Sequence, residues 1–370
     1  MRRPIVALAL SCLAITACGA NVQGARVTAA VACPSPPRPS DMTDPAFYSY
    51  VNTYDGACAS TENHDRSFAD VEVGTTVDGT NRFSVTASTA LGGAIASLRV
   101  NDKEFISSGG HGSSLQWAFH AWDDGKAASE CYNPTQAGSR PDDAGPPPYH
   151  GPSTSLISRL AHTGTATVST RSRLAMYVPL SMQAPGYGGC HATDYQQDVS
   201  PYTEGLSPYS LSTAVRLAPD NGLANLSNVA RVDATLTSSD RKYPNFDAVF
   251  VSYLQRDFTD SYSYADGRLT RREIGAPGTL SPVLKCTHDH AYCLGVYFPA
   301  SSMRGAYYYT QDEAPNTYNG MAGAYTEQIT APAHNVGGTG TRSLTYRAYL
   351  AVGNLDRVKS TLDALATQAP

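Results

Sequence analysis

"LGGAIASLRVNDKEFISSGGHGSSLQWAF", from Leu91 to Phe119, decides how the chain is read. Ala94, Ala96, Leu98 and Val100 recur at every second position, the spacing of a strand with one buried face. Asn101 and Asp102 then supply turn chemistry, and a second short strand is expected to end near Ser107–Gly110. That places His111 just past a strand end, with Gln116 and Trp117 shortly after it.

The same period-two pattern, enriched in β-branched and aromatic residues, runs outward in both directions. It recurs in "RFSVTAS", "ATVSTRSRLAMYV", "SLSTAVRL", "ARVDATLT", "DAVFVSY", "YCLGVYF" and "SLTYRAYLAVG". Only "LDRVKSTLDALA" (Leu355–Ala366) has helical spacing, with Leu355, Val358, Leu362 and Leu365 on one stripe. Many strands with no helix between them exclude a doubly wound parallel sheet. The expected fold class is all-β, a sandwich with a short C-terminal helix, and no internal repeat is visible.

At 370 residues and 16% charged residues, the chain carries a net charge of -5. A nucleic-acid partner is not expected, because phosphate binding needs a basic surface. "MRRPIVALALSCLAITACGA" has a basic start, a short apolar run and Ile15-Thr16-Ala17-Cys18, which resembles a bacterial lipobox. Residues 1–18 are therefore expected to be an export signal, with Cys18 as a lipidation site that would tether the chain to a membrane. An ordinary signal-peptidase site near Ala17 or Ala20 is the alternative. Either way, the expected location is the cell envelope (periplasm or outer membrane) or the exterior. Residues 19–65 read as a Pro- and Ser-rich tether and arm, and residues 66–370 as the folded domain.

An exported chain favours disulfides for Cys33, Cys58, Cys131, Cys190, Cys286 and Cys293. Six cysteines allow 15 pairings. Local spacing favours Cys286 with Cys293 across "THDHAY", and Cys33 with Cys58 around the arm. Cys131 with Cys190 would follow by elimination. No Cys-x-x-Cys or His-x-x-x-His spacing supports a zinc site, and neither a metal nor a cofactor is expected.

The Leu91–Phe119 run resembles the opening strands of galactose-mutarotase-like proteins, where a Gly-Gly strand leads through a turn to a His-Gly segment. "SRLAMYVP", "YLQRDFTDSYSYADGRL", "CTHDHAYCLGVYFP", "TYRAYLAVGNLDRVKSTLDAL" and "ECYNPTQAGS" are similar to an exported branch of that superfamily, covering about Arg66 to Gln368. The resemblance implies a large antiparallel β-supersandwich. Its members are mostly sugar epimerases, glycoside hydrolases, polysaccharide lyases or accessory domains. It implies an oligo- or polysaccharide ligand and leaves the reaction open.

The segment "SECYNPTQAGSRPDDAGPPPYHG" (Ser129–Gly151) holds little apolar surface but concentrates Glu130, Tyr132, Asn133 and Arg140. At the rim of a groove these would supply an acid or base, a phenol, an amide and a cation. A disulfide-anchored loop built from turn chemistry alone is the other reading. His111 is a candidate proton carrier with Gln116 beside it. Trp117 and Trp122 are either stacking platforms for sugar or core residues. Arg171 and Arg173 share a strand face, either binding uronate carboxylates or standing solvated. His288, Asp289 and His290 occupy the presumed hairpin tip. Tyr307–Tyr309 and Glu327 are candidates for the far wall. A hydrolase would pair Glu130 with Asp289, Glu313 or Glu327. An epimerase would use His111 with Glu327. A lyase would use Tyr132 or His111 with an arginine and Asn133. The expected activity is a polysaccharide-cleaving enzyme, with a sugar-binding module or an epimerase as alternatives.

Overall fold

The computed structural model describes Arg26–Val27 and residues 70–89, 91–106, 115–122, 130–132, 155–175, 206–238, 245–255, 257–273, 279, 281–299, 306–312, 325–332 and 341–369. The strands are β1 (Arg26–Val27), β2 (Val71–Val77), β3 (Asn81–Ala87), β4 (Ile95–Val100), β5 (Lys103–Glu104), β6 (Leu115–Trp122), β7 (Glu130–Tyr132), β8 (Leu156–Thr163), β9 (Thr167–Ala175) and β10 (Leu206–Arg216). They continue with β11 (Val229–Ser238), β12 (Asn245–Gln255), β13 (Asp260–Ala265), β14 (Arg268–Arg272), β15 (Val283–Cys286), β16 (Cys293–Tyr297), β17 (Ala306–Asp312), β18 (Tyr325–Pro332) and β19 (Arg342–Gly353). Helix α1 (Leu355–Gln368) follows.

Every strand pairing among the described residues is antiparallel, and they form two sheets. Sheet one runs β1-β2-β3-β4-β6-β12-β18-β17, with β5 on β4 and β7 on β6. Sheet two runs β14-β13-β15-β16-β19-β11-β10-β9-β8. This is the all-β sandwich with a C-terminal helix expected from the alternation. Within the predicted tether, Arg26 and Val27 pair with Glu72 and Val71.

The sheets pack face to face because alternate side chains of each strand are apolar. In β11, Val232, Ala234 and Leu236 are buried while Arg231, Asp233 and Thr235 are half-buried on the other face. One core joins Phe83, Val85 and Leu98 of sheet one to Val168, Leu211 and Tyr346 of sheet two. Each such large side chain, fully buried, contributes about 1.5–3 kcal/mol. Gly93, at φ +90°, brings the β3–β4 connection against sheet two. A Cβ there would lie 3.0 Å from Thr170 Cβ.

A second, smaller core lies on the outside of sheet two. Val358, Leu362 and Leu365 of α1 pack with Val229, Leu284, Tyr349 and Ala351. Gly295 permits this approach, since a Cβ there would stand 2.8 Å from Val358 Cγ1. Asn354 caps the helix, its Oδ1 accepting from Arg357 N at 2.9 Å. No helix among the described residues is long and apolar enough to cross a membrane.

Candidate functional site

Among the described residues, the cavity found between the sheets is too small for a sugar. The cavity there, under Gly93, Gln116 and Thr170, is about 20 Å³, room for one water. Trp117 helps to fill that interior. It is 2% exposed, stacks on Tyr346 at 5.0 Å and lies 4.6 Å from Phe250. Its expected role as a sugar platform is therefore corrected: period-two spacing put the indole on the inward face.

The outward face of sheet one is where backbone register gathers ionisable residues. His120 is the direct partner of Asp247 on β12 and of Glu130 on β7. A bulge between Phe119 and His120 leaves Cys131 without a register partner. Direct antiparallel partners share a face, so Glu130, His120 and Asp247 form one row across three strands. Each direct pair separates Cα atoms by about 5 Å, which places Glu130 and Asp247 about 10 Å apart along the backbone.

Gln116, four residues before His120, lies on the same face opposite Val251, and both are buried. Glu327 belongs to another row, with Tyr253 and Gln311. Six residues of β12 separate Asp247 from Tyr253, about 20 Å at strand rise. The structure thus does not bring Glu327 to Glu130, and the expected pairing of those carboxylates is corrected. Asp247 and His120 were missed because their partnership lies in the register of distant strands.

Arg171 and Arg173 do share a face, as expected, but it is the outer face of sheet two, and both are exposed. Arg171 therefore sits on the layer opposite to Glu130. Tyr132 lies on β7, paired with Phe119. His111, Asn133, Arg140, Glu313, Cys18, Cys33, Cys58 and Cys190 lie outside the described residues, as do the pairings expected for Cys33–Cys58 and Cys131–Cys190.

The Cys286–Cys293 disulfide is present, joining cross-strand partners on β15 and β16. The hairpin it closes carries His288, Asp289 and His290 at its tip, as expected. They turn apart. Asp289 accepts from Thr287 Oγ1 at 2.6 Å and Ala291 N at 3.0 Å, and these bonds, Thr287 first, hold its carboxyl below the usual range. His288 is exposed, 3.6 Å from Asp260. His290, at φ +59°, places Nε2 3.0 Å from the buried Asp260 Oδ2 and 2.8 Å from Tyr262 Oη. Burial, then the charge of Asp260, pushes the Tyr262 hydroxyl up. The cluster ties the hairpin tip to β13. No group of three metal-ligating side chains occurs among the described residues.

Two further features hold polar groups together. Half-buried Glu104 accepts from Ser97, Arg99 and the backbone N–H groups of Leu98 and Ile106, at 2.5–3.0 Å. Burial raises its pKa, yet four donors occupy its oxygens, so it fixes the β4–β5 hairpin rather than reacting. A cleft of about 440 Å³ opens beside the α1 N-terminus, lined by Asp78, Asn81, Asn101, Tyr292 and Arg357 among others. The Arg357–Asp78 ion pair at 2.8 Å closes one side of it.

No family model matches the chain, and no curated protein matches it. Among solved structures, it is similar to a putative aldose 1-epimerase from Escherichia coli K12 (10% identity, 77% of this chain and 100% of that one, TM-score 0.42). It is also similar to a galactose mutarotase-like protein from Lactobacillus casei ATCC 334 (9% identity, 75% and 99%, TM-score 0.41). A mutant heparan sulfate lyase from Pedobacter heparinus is a third (8% identity, 77% and 35%, TM-score 0.37). These neighbours include the mutarotase-like kind that the Leu91–Phe119 run resembles. None of them assigns a residue or a reaction to this chain.

Proposed function

We propose that the chain is an exported carbohydrate-active enzyme that hydrolyses a polysaccharide on the outer face of sheet one. The observation that carries this reading is the Glu130–His120–Asp247 row. Hydrolysis by inversion needs two carboxyl groups about 6.5–9.5 Å apart, one protonating the leaving oxygen and one activating water. A backbone separation of about 10 Å across an intervening strand is of the order that such a pair needs. His120 occupies the register position between them, and an imidazole is a residue type that can give or take a proton. Asn133 and Arg140, which follow Glu130 within ten positions of the sequence, are proposed to orient the glycan.

Export, with Cys18 as a lipid anchor, is part of the proposal. The Cys286–Cys293 bond supports it, since such bonds persist in oxidising compartments.

The test is incubation of the mature chain with a polysaccharide panel. New reducing ends without unsaturated-uronate absorbance are expected. Reducing ends together with that absorbance would replace hydrolysis by elimination, and binding without new ends would sink the enzymatic reading.

A further inference from the structure

The outer face of sheet two, beyond the part covered by α1, has an uneven charge. Strands β8, β9, β10, β11 and β19 contain one carboxylate, Asp233. Six arginines stand on the outward positions of the same strands: Arg159, Arg171, Arg173, Arg216, Arg231 and Arg347. Asp233 binds three of them: Arg216, Arg231 at 3.0 Å and Arg347 at 2.6 Å. Those bonds also hold the Arg347 guanidinium above its ordinary pKa. The face keeps a strong positive surplus on a chain whose net charge is -5.

Arg159 and Arg171 are exposed direct cross-strand partners. Like charges placed opposite one another weaken a sheet, and no ion pair to either is found among the described residues. Hydroxyl groups continue the two rows that Arg171 and Arg173 begin. Arg171 is in register with Ser212, Thr235 and Thr345, and Arg173 with Ser210, Thr237 and Ser343. Thr237 and Ser343 bring their hydroxyl oxygens to 3.4 Å. Each row crosses four strands, about 15 Å at sheet spacing.

We infer that this face docks a polysaccharide bearing carboxylate or sulfate groups. Guanidinium groups match such anions in paired hydrogen bonds, and the hydroxyl rows serve the uncharged sugar positions. Single-stranded nucleic acid is served less well, because the outward positions of these rows offer no aromatic platform for bases. The docking face lies on the layer opposite to the Glu130 row. It would hold an acidic polymer at the surface without placing it on the reacting groups.

The experiment is binding of polygalacturonate, heparin, dextran and single-stranded DNA to the wild type, to R159S/R171S, and to a control with matched charge loss elsewhere, R82S/R268S. The polyanions are expected to bind wild type and control alike. R159S/R171S is expected to bind about tenfold more weakly, with a shallower salt dependence. It should melt no lower than wild type, since the exchange removes a repulsion. Polygalacturonate and heparin distinguish carboxylate from sulfate as the preferred anion, and preference for either upholds the docking face. Equal weakening by both double variants, equal binding of dextran, or equal binding of single-stranded DNA would overturn the inference. Cleavage is not read, so failure here leaves the hydrolase proposal standing.

Discussion

Tyr264 donates its hydroxyl to Asp363, joining β13 to α1. Burial first, and then the Asp363 carboxylate, push the Tyr264 pKa up to about 12. The raised value means that folding favours the protonated phenol. Its contribution is complete below the ordinary tyrosine value near 10 and is lost as pH rises through about 12. Y264F should cost about 1.5–3 kcal/mol near neutrality, the range for a hydrogen bond to a charged group. Urea denaturation at pH 7 and at pH 11 measures both effects. The wild-type advantage over Y264F should shrink at the higher pH, and an unchanged difference would refute the assignment.

Disulfide removal gives a second expectation. Cys286 and Cys293 are both fully buried, and their bond closes a loop with a sequence separation of 7. Closing so short a loop restricts the unfolded chain by about 2.5 kcal/mol. The double variant C286A/C293A should lose about that much in denaturant unfolding. The native bond should resist a mild reductant until the hairpin opens, read by thiol labelling with and without denaturant. Rapid labelling of the folded protein would show the hairpin to be open.

How much of this was legible beforehand depended on whether the information is local. The alternation in "AIASLRV" and the Val358–Leu362–Leu365 stripe each specify one element, and both formed as read. The Cys286–Cys293 bond was local for the same reason. Trp117 was ambiguous because an indole suits a core and a sugar equally, and only its stack on Tyr346 decides. The Glu130–His120–Asp247 row was invisible. Which residues of β6, β7 and β12 stand side by side is set by packing over the whole sheet and by a bulge. No property of those strands taken singly gives it.

Trp117 provides a third prediction, separating core from binding surface. W117A should destabilise the fold by about 3–5 kcal/mol, because it empties a site packed by Tyr346 and Phe250. W117F, which keeps an aromatic ring in place, should leave polysaccharide affinity at the wild-type level. Affinity lost in W117F without lost stability would return the indole to the binding surface.

The carboxylate row gives the most direct functional expectation. If Glu130 and Asp247 are the reacting pair, E130Q and D247N should each lower kcat by about 10²–10⁴, the range for loss of an acid or base. H120N, at the position that register places between them, should shift the pH profile. E327Q, about 20 Å along the strands, should retain kcat and change KM at most. All four are compared with wild type by reducing-end assay and thermal melting, so a folding defect is separated from a chemical one. The product anomer, read by NMR in the first turnovers, should be inverted relative to the substrate. Retention with an intact E130Q defect would move the partner of Glu130 to a closer carboxylate, and full activity in both E130Q and D247N would remove the row from the chemistry.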